Sequence, residues 1–351
     1  MTFDKVKILR IREIRALSGG GRLPFIDINK GILILLCVLS HEIDIIDSRQ
    51  YFVVSSIYDK IEYLWVSFFM PSFFFVSGFC SSMNKSFKST LWQGLKTLIL
   101  PTITLTFLCS LLYNLFTNGL ILNELMLSLK RLGTSIVLLS GNWFIQAMFL
   151  CRLIYWIINN ISEKWLHRIV LSVTLSVIGS ILSINKVDDF SLGLINTMII
   201  TSFFCFGQYY KNKGINIQTQ KISILVFLIL YFVFLLLFEK RPVLVRDAVI
   251  TYWNIIPMLL LGVTGSIAFI SICTQIGSNK FLEYFGRNSL VVYILHIPIL
   301  GVLLTINRAI FSIDKLAIVL VITTYLLTLL LITVMIQLLN KTKLKVLLGR
   351  F

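Results

Sequence analysis

Ten apolar runs decide what this chain can fold into. Their approximate limits are 28–46, 63–83, 97–116, 143–161, 168–184, 191–210, 222–238, 252–273, 289–306 and 316–339. Each is about 20 residues long and nearly free of charge, enough for a helix to cross a hydrocarbon layer of about 30 Å. Of the 351 residues, 57% are hydrophobic and 14% charged. Soluble domains carry about 25% charged residues, so this chain has too few to coat a soluble surface. The expected architecture is all-α: a polytopic membrane helical bundle of about ten transmembrane helices.

The formal net charge is +16. No basic stripe is interleaved with aromatic residues outside the apolar runs, so nucleic acid is not the expected partner. Cytoplasmic loops of membrane proteins collect lysine and arginine. With the N-terminus inside, the cytoplasmic side holds 21 Lys and Arg, the opposite loops hold 10, and Arg152 lies within a span. Both termini are therefore expected in the cytoplasm. Residues 1–22 read as a basic cytoplasmic arm, 23–340 as the membrane domain and 341–351 as a basic cytoplasmic tail. Residues 239–251, with Lys240, Arg241 and Arg246, run against the rule. The stretch 119–140, broken by Glu124, Lys130 and Arg131, reads as interfacial or re-entrant. The first apolar run reads as a retained span, because no small-residue cleavage site follows it.

Ionisable groups inside spans are costly and mark function. His41 stands well up the first run and Lys30 eleven residues before it. Eleven residues are close to three helical turns, so both side chains share a face about 16 Å apart along the axis. Asp27, one turn before Lys30, is placed to pair with it. Of the other two histidines, His296 lies in the ninth run and His167 in a basic loop. Asn142 and Trp143 open the fourth run, and Arg152 within it needs a partner or a wet cavity. The six cysteines fall in apolar runs without a CxxC pair, and two histidines without a third ligand argue against zinc. No metal is expected.

Four landmarks then occur in order: FIDINKGILILLCVLSH (25–41), FFMPSFFFVSGF (68–79), GNWFIQAMF (141–149) and FGRNSLVVYILHIPI (285–299). Together they resemble membrane-bound acyltransferase family 3, and within it the fucose 4-O-acetylase-like branch. The Lys30–His41 spacing is similar to the family's opening-span motif. Two departures are visible. Phe69 stands where many members have a histidine. Lys85 and Lys88 stand where many have an Arg-x-x-Arg pair, which keeps charge but loses the planar fork.

The resemblance implies acyl transfer, usually of acetyl, to a carbohydrate hydroxyl in a bacterial inner membrane. Acetyl-CoA would be the donor substrate, with no permanently bound cofactor, and membrane lipids would surround the protein. Lys30, Lys85 and Lys88, with Asp27 beside them, would hold the donor's nucleotide end. His41 would act as general base, oriented by Asp44. Ser77, Asn142 or Tyr293 would serve the oxyanion, and Trp143, Arg152 and His296 the substrate site. Met70-Pro71 would kink or start a helix, and Ser77-Gly78 would admit a close neighbour. A glycan transporter or flippase is the rival, but it predicts polar residues spread over several spans and often internal repeats. A non-catalytic membrane scaffold is the second rival.

Overall fold

The computed structural model describes residues 23–48, 62, 64–82, 85–118, 143–185, 193–213, 220–238, 252–310 and 317–341. Asn142, the stretch 119–140, the arm 1–22, the loop 239–251 and most of the tail lie outside them. Among the described residues every regular element is a helix. In chain order these are α1 (Pro24–Ser48), α2 (Val66–Cys80), α3 (Phe87–Gly94) and, after a π-helical stretch Leu95–Ile99, α4 (Leu100–Asn118). There follow α5 (Trp143–Ile161), α6 (Trp165–Ile184), α7 (Leu194–Lys213), α8 (Gln220–Leu237) and α9 (Tyr252–Gln275). The last three are α10 (Lys280–Arg287), α11 (Ser289–Ile310) and α12 (Ala317–Lys341).

A helix occupies each of the ten apolar runs. Among the described residues five are long and apolar enough to cross a membrane by themselves, and α10 with α11 forms a sixth candidate. That pair is bent by 81°. Two segments read from sequence as plain loops also hold helices, α3 within 84–96 and α10 within 274–288. Both are eight residues long, too short to register as spans. Outward faces are apolar: Leu225, Leu236 and Leu326 are exposed, Leu236 by 86%. In water such surfaces would aggregate. Against lipid they cost nothing, and this is an integral membrane protein.

The centre of the bundle is α2. Nearly all its residues are buried, so it packs on every face. Pro71 lies inside it, where its missing N–H removes one helical hydrogen bond. The small pair Ser77-Gly78 has its reason in α7. A Cβ on Gly78 would overlap the Phe204 carbonyl, and a Cβ on Gly207 would overlap the Phe75 carbonyl. The two backbones touch through reciprocal glycines, the close approach that small residues permit between membrane helices.

The same device fixes α10 against the base of α1. A Cβ on Gly31 would overlap the Leu282 carbonyl, and one on Gly286 the Asp27 carbonyl. The Asn279 side chain caps α10 by accepting from the Leu282 N–H at 3.0 Å. At the other end Asn288 turns the chain. Its N–H donates to the Tyr284 and Phe285 carbonyls, closing α10. Its own carbonyl accepts from Val292 and opens α11.

Candidate active site

Where α10 meets α1, the Arg287 Nε donates to Asp27 Oδ2 at 3.1 Å and its Nη2 to Glu283 Oε2 at 2.5 Å. The pairing of Asp27 with Lys30 expected from helical spacing is replaced by this pair, because the glycine contact brings Arg287 to the carboxylate. Lys30 is left to the cavities.

A cavity of about 420 Å³ opens here, lined by Asp27, Lys30 and Arg287 on one side and by Phe79, Cys80 and Lys211 on the other. A second, of about 110 Å³, lies beside it. The two share Lys30, Ser289 and Leu290 in their linings. The second cavity adds Ser77 and Arg152, then an apolar wall that includes Ile34, Phe144 and Tyr293. Along α1 and α11 the chain thus lines a path that begins with cations and ends in aromatic rings.

Tyr293 leads onward. Its ring lies 5.1 Å from Phe144 and 5.7 Å from His296. His296 in turn meets His41 edge to face, with ring centroids 5.1 Å apart. The His41 Nδ1 lies 3.1 Å from the Cys37 carbonyl. A carbonyl only accepts, so Nδ1 carries the proton and Nε2 keeps a free lone pair. His296 is held in the same way, with Nδ1 2.7 Å from the Tyr293 carbonyl. Its Nε2 is buried without a hydrogen-bond partner. Cys37 Sγ lies 4.0 Å from His41 Nδ1, and one ligand atom from each of Cys37, His41 and His296 lies within 4.8 Å of the others. A third ligand-type side chain is therefore present, although histidine spacing alone did not reveal it.

The remaining predicted residues divide. Ser77, Arg152 and Tyr293 line the second cavity. Trp143 opens α5, its ring 6.1 Å from Phe144. Asp44 is exposed one turn beyond His41 and acts on it electrostatically, while the Cys37 carbonyl holds His41 Nδ1. Lys85 and Lys88 are exposed on the α3 side, where Lys85 Nζ donates to Gln93 Oε1 at 2.7 Å. Neither lines the two cavities. Asn142 lies outside the described residues.

Sequence reasoning passed over three groups. Arg287 was inside a quoted landmark but was not singled out. Lys211 was one of many loop cations. Glu42 follows His41 directly, is wholly buried, and has no hydrogen-bond partner for either carboxylate oxygen. A carboxylate inside an apolar run was the available signal for it.

A family model described as an acyltransferase domain matches residues 23–337. The chain belongs to acyltransferase family 3. No curated protein and no solved structure matches it significantly. The family 3 match begins at Leu23, just before α1, and ends within α12. The two cavities and the histidine pair all fall inside this acyltransferase domain, and the protein is a membrane acyltransferase.

Proposed function

We propose that this acyltransferase is an O-acetyltransferase of the fucose 4-O-acetylase-like branch. In this reading it moves an acetyl group from cytoplasmic acetyl-CoA to a hydroxyl of a surface polysaccharide or lipid-linked sugar. The protein sits in a bacterial inner membrane with ten spans and both termini inside. The observation that carries the reading is the line from Lys30 to His41: a cation at one end, a lone-pair nitrogen at the other, and two adjoining cavities beside the first part of it.

The distance suits the donor. From sulfur to the first phosphorus the pantetheine arm has about thirteen bonds. At the advance per bond of an extended peptide backbone these span about 15 Å. The helical rise from Lys30 to His41 is about 16 Å. The phosphates then lie among the cations that line the cavities, the arm along Ile34 and Phe144, and the thioester beside the imidazoles.

His41 Nε2 takes the proton of the acceptor hydroxyl as its oxygen bonds to the thioester carbon. The C–S bond then breaks, and the proton passes to the departing thiolate. Tyr293 is placed to donate to the oxyanion that forms between these steps. His296, packed edge to face on His41, limits the positions the base can take. Trp143 offers a ring face to the sugar.

The test is release of free thiol from acetyl-CoA by purified protein, with and without an acceptor glycan, together with mass spectrometry of glycans from cells lacking the gene. Acceptor-dependent thiol release and acetyl groups restored by the wild type are expected. Glycan movement across the membrane without acetyl-CoA would instead identify a transporter.

A further inference from the structure

Arg152 lies near the middle of α5, and its Nε is buried with no hydrogen-bond partner. A guanidinium inside an apolar bundle persists where an anion or a wet cavity meets it. The second cavity, which Arg152 lines together with Lys30, has no acidic side chain in its lining. Its other polar side chains are the hydroxyls of Ser77, Ser289 and Tyr293. Two cations and three hydroxyls therefore surround a space with no negative group of its own.

The depth of this site is informative. Arg152 follows Phe144 by eight residues, about 12 Å along α5. Phe144 belongs to the aromatic layer that touches Tyr293, and Tyr293 touches His296. Lys30 lies about 16 Å along α1 from His41. The two cations thus stand at similar depth below the imidazole pair, on two different helices that line one cavity. The mouth beyond them carries Lys211, whose Nζ also donates to the Ser81 carbonyl, and Arg287, whose guanidinium also meets Asp27 and Glu283.

We propose that Arg152 and Lys30 clamp the diphosphate of the acyl donor, and that Lys211 and Arg287 at the mouth take its terminal ribose phosphate. This rests on the acetyl-CoA reading above and assigns separate phosphates to separate residues. The planar fork of Arg152 suits two oxygens of one phosphate, and Lys30 supplies a point charge from α1. The clamp fixes the depth to which the arm is drawn in, and so sets the thioester beside the histidines.

The experiment measures binding of coenzyme A, 3′-dephospho-coenzyme A and pantetheine to the full chain in nanodiscs. Arg152→Gln is expected to weaken the first two by a similar factor, roughly ten- to a hundredfold, and to leave pantetheine binding unchanged. Lys211→Gln is expected to weaken only coenzyme A. Arg152→Lys, which keeps the charge without the fork, should fall between wild type and Arg152→Gln, and its thermal unfolding tells a lost contact from a misfolded chain. Equal weakening of all three probes by Arg152→Gln, or none, overturns the assignment. If Arg152→Gln changes only retention of phosphatidylglycerol while coenzyme A binding is intact, the anion is a lipid phosphate and the proposal falls. Transfer is not the readout. Arg152-dependent binding without acetyl transfer sinks the acetyl-transfer reading and leaves the phosphate assignment standing.

Discussion

Gly286 meets Asp27 main chain to main chain. The space a Cβ would need on Gly286 is filled by the Asp27 carbonyl, and the next residue, Arg287, thereby reaches the Asp27 carboxylate at 3.1 Å. One missing side chain places a cation at the mouth of the larger cavity.

Gly286→Ala should therefore push α10 off α1. Overpacking of this kind costs about 1–3 kcal/mol, and the displaced Arg287 should also weaken coenzyme A binding. Thermal unfolding in detergent and coenzyme A titration check both effects. Normal stability with unchanged binding would show that α10 shifts without consequence.

His41→Ala removes the lone pair at the end of the path. Acetyl transfer should fall by about 10²–10⁴-fold, the usual worth of a general base. Coenzyme A binding should stay intact, because the cations lie about three turns away. Thiol release and binding measured on the same preparation separate the two. Loss of both would make His41 structural.

His296→Gln keeps a polar side chain but removes the ring that packs on His41 at 5.1 Å. The expected result is a lower kcat with little change in the donor KM, since His296 lies outside the lining of either cavity. Steady-state kinetics read this split. A rise in donor KM alone would move His296 from positioning to donor binding.

Glu42 is wholly buried, with both carboxylate oxygens lacking hydrogen-bond partners. Replacing an unsatisfied buried polar group by an apolar one relieves about 1–3 kcal/mol. Glu42→Leu should unfold at higher temperature. Departures from local consistency concentrate at functional sites, so activity should drop as stability rises. Higher stability with full activity would mark Glu42 as a tolerated defect.

How far the site was legible follows from these residues. The Lys30–His41 face was readable because both lie on one helix, where periodicity fixes direction. The His41–His296 contact was not readable, since it depends on how α1 packs against α11, far apart in sequence. Arg287 was hidden for a related reason: its helix is too short to appear as an apolar run, and its partner is set by a glycine contact. The Ser77-Gly78 pair announced a close approach, but only the structure names Phe204 as what approaches. Asp44 was legible as a charge one turn beyond His41, and its charge does act on the ring; the Cys37 carbonyl that holds Nδ1 is a backbone partner, which side-chain spacing does not name.

The two reciprocal glycine contacts carry a mechanical consequence. Backbones that touch directly cannot slide or rock by rearranging side chains, because none stand between them. α1 with α10 forms one stiff pair, and α2 with α7 another. The larger cavity lies between them: Asp27, Lys30, Gly286 and Arg287 come from the first pair, and Phe79, Cys80 and Lys211 from the second. The two pairs also pack on each other, Phe25 against Phe79 at 6.1 Å, so a ligand that bridges Lys211 and Arg287 would tie one stiff pair to the other across the mouth.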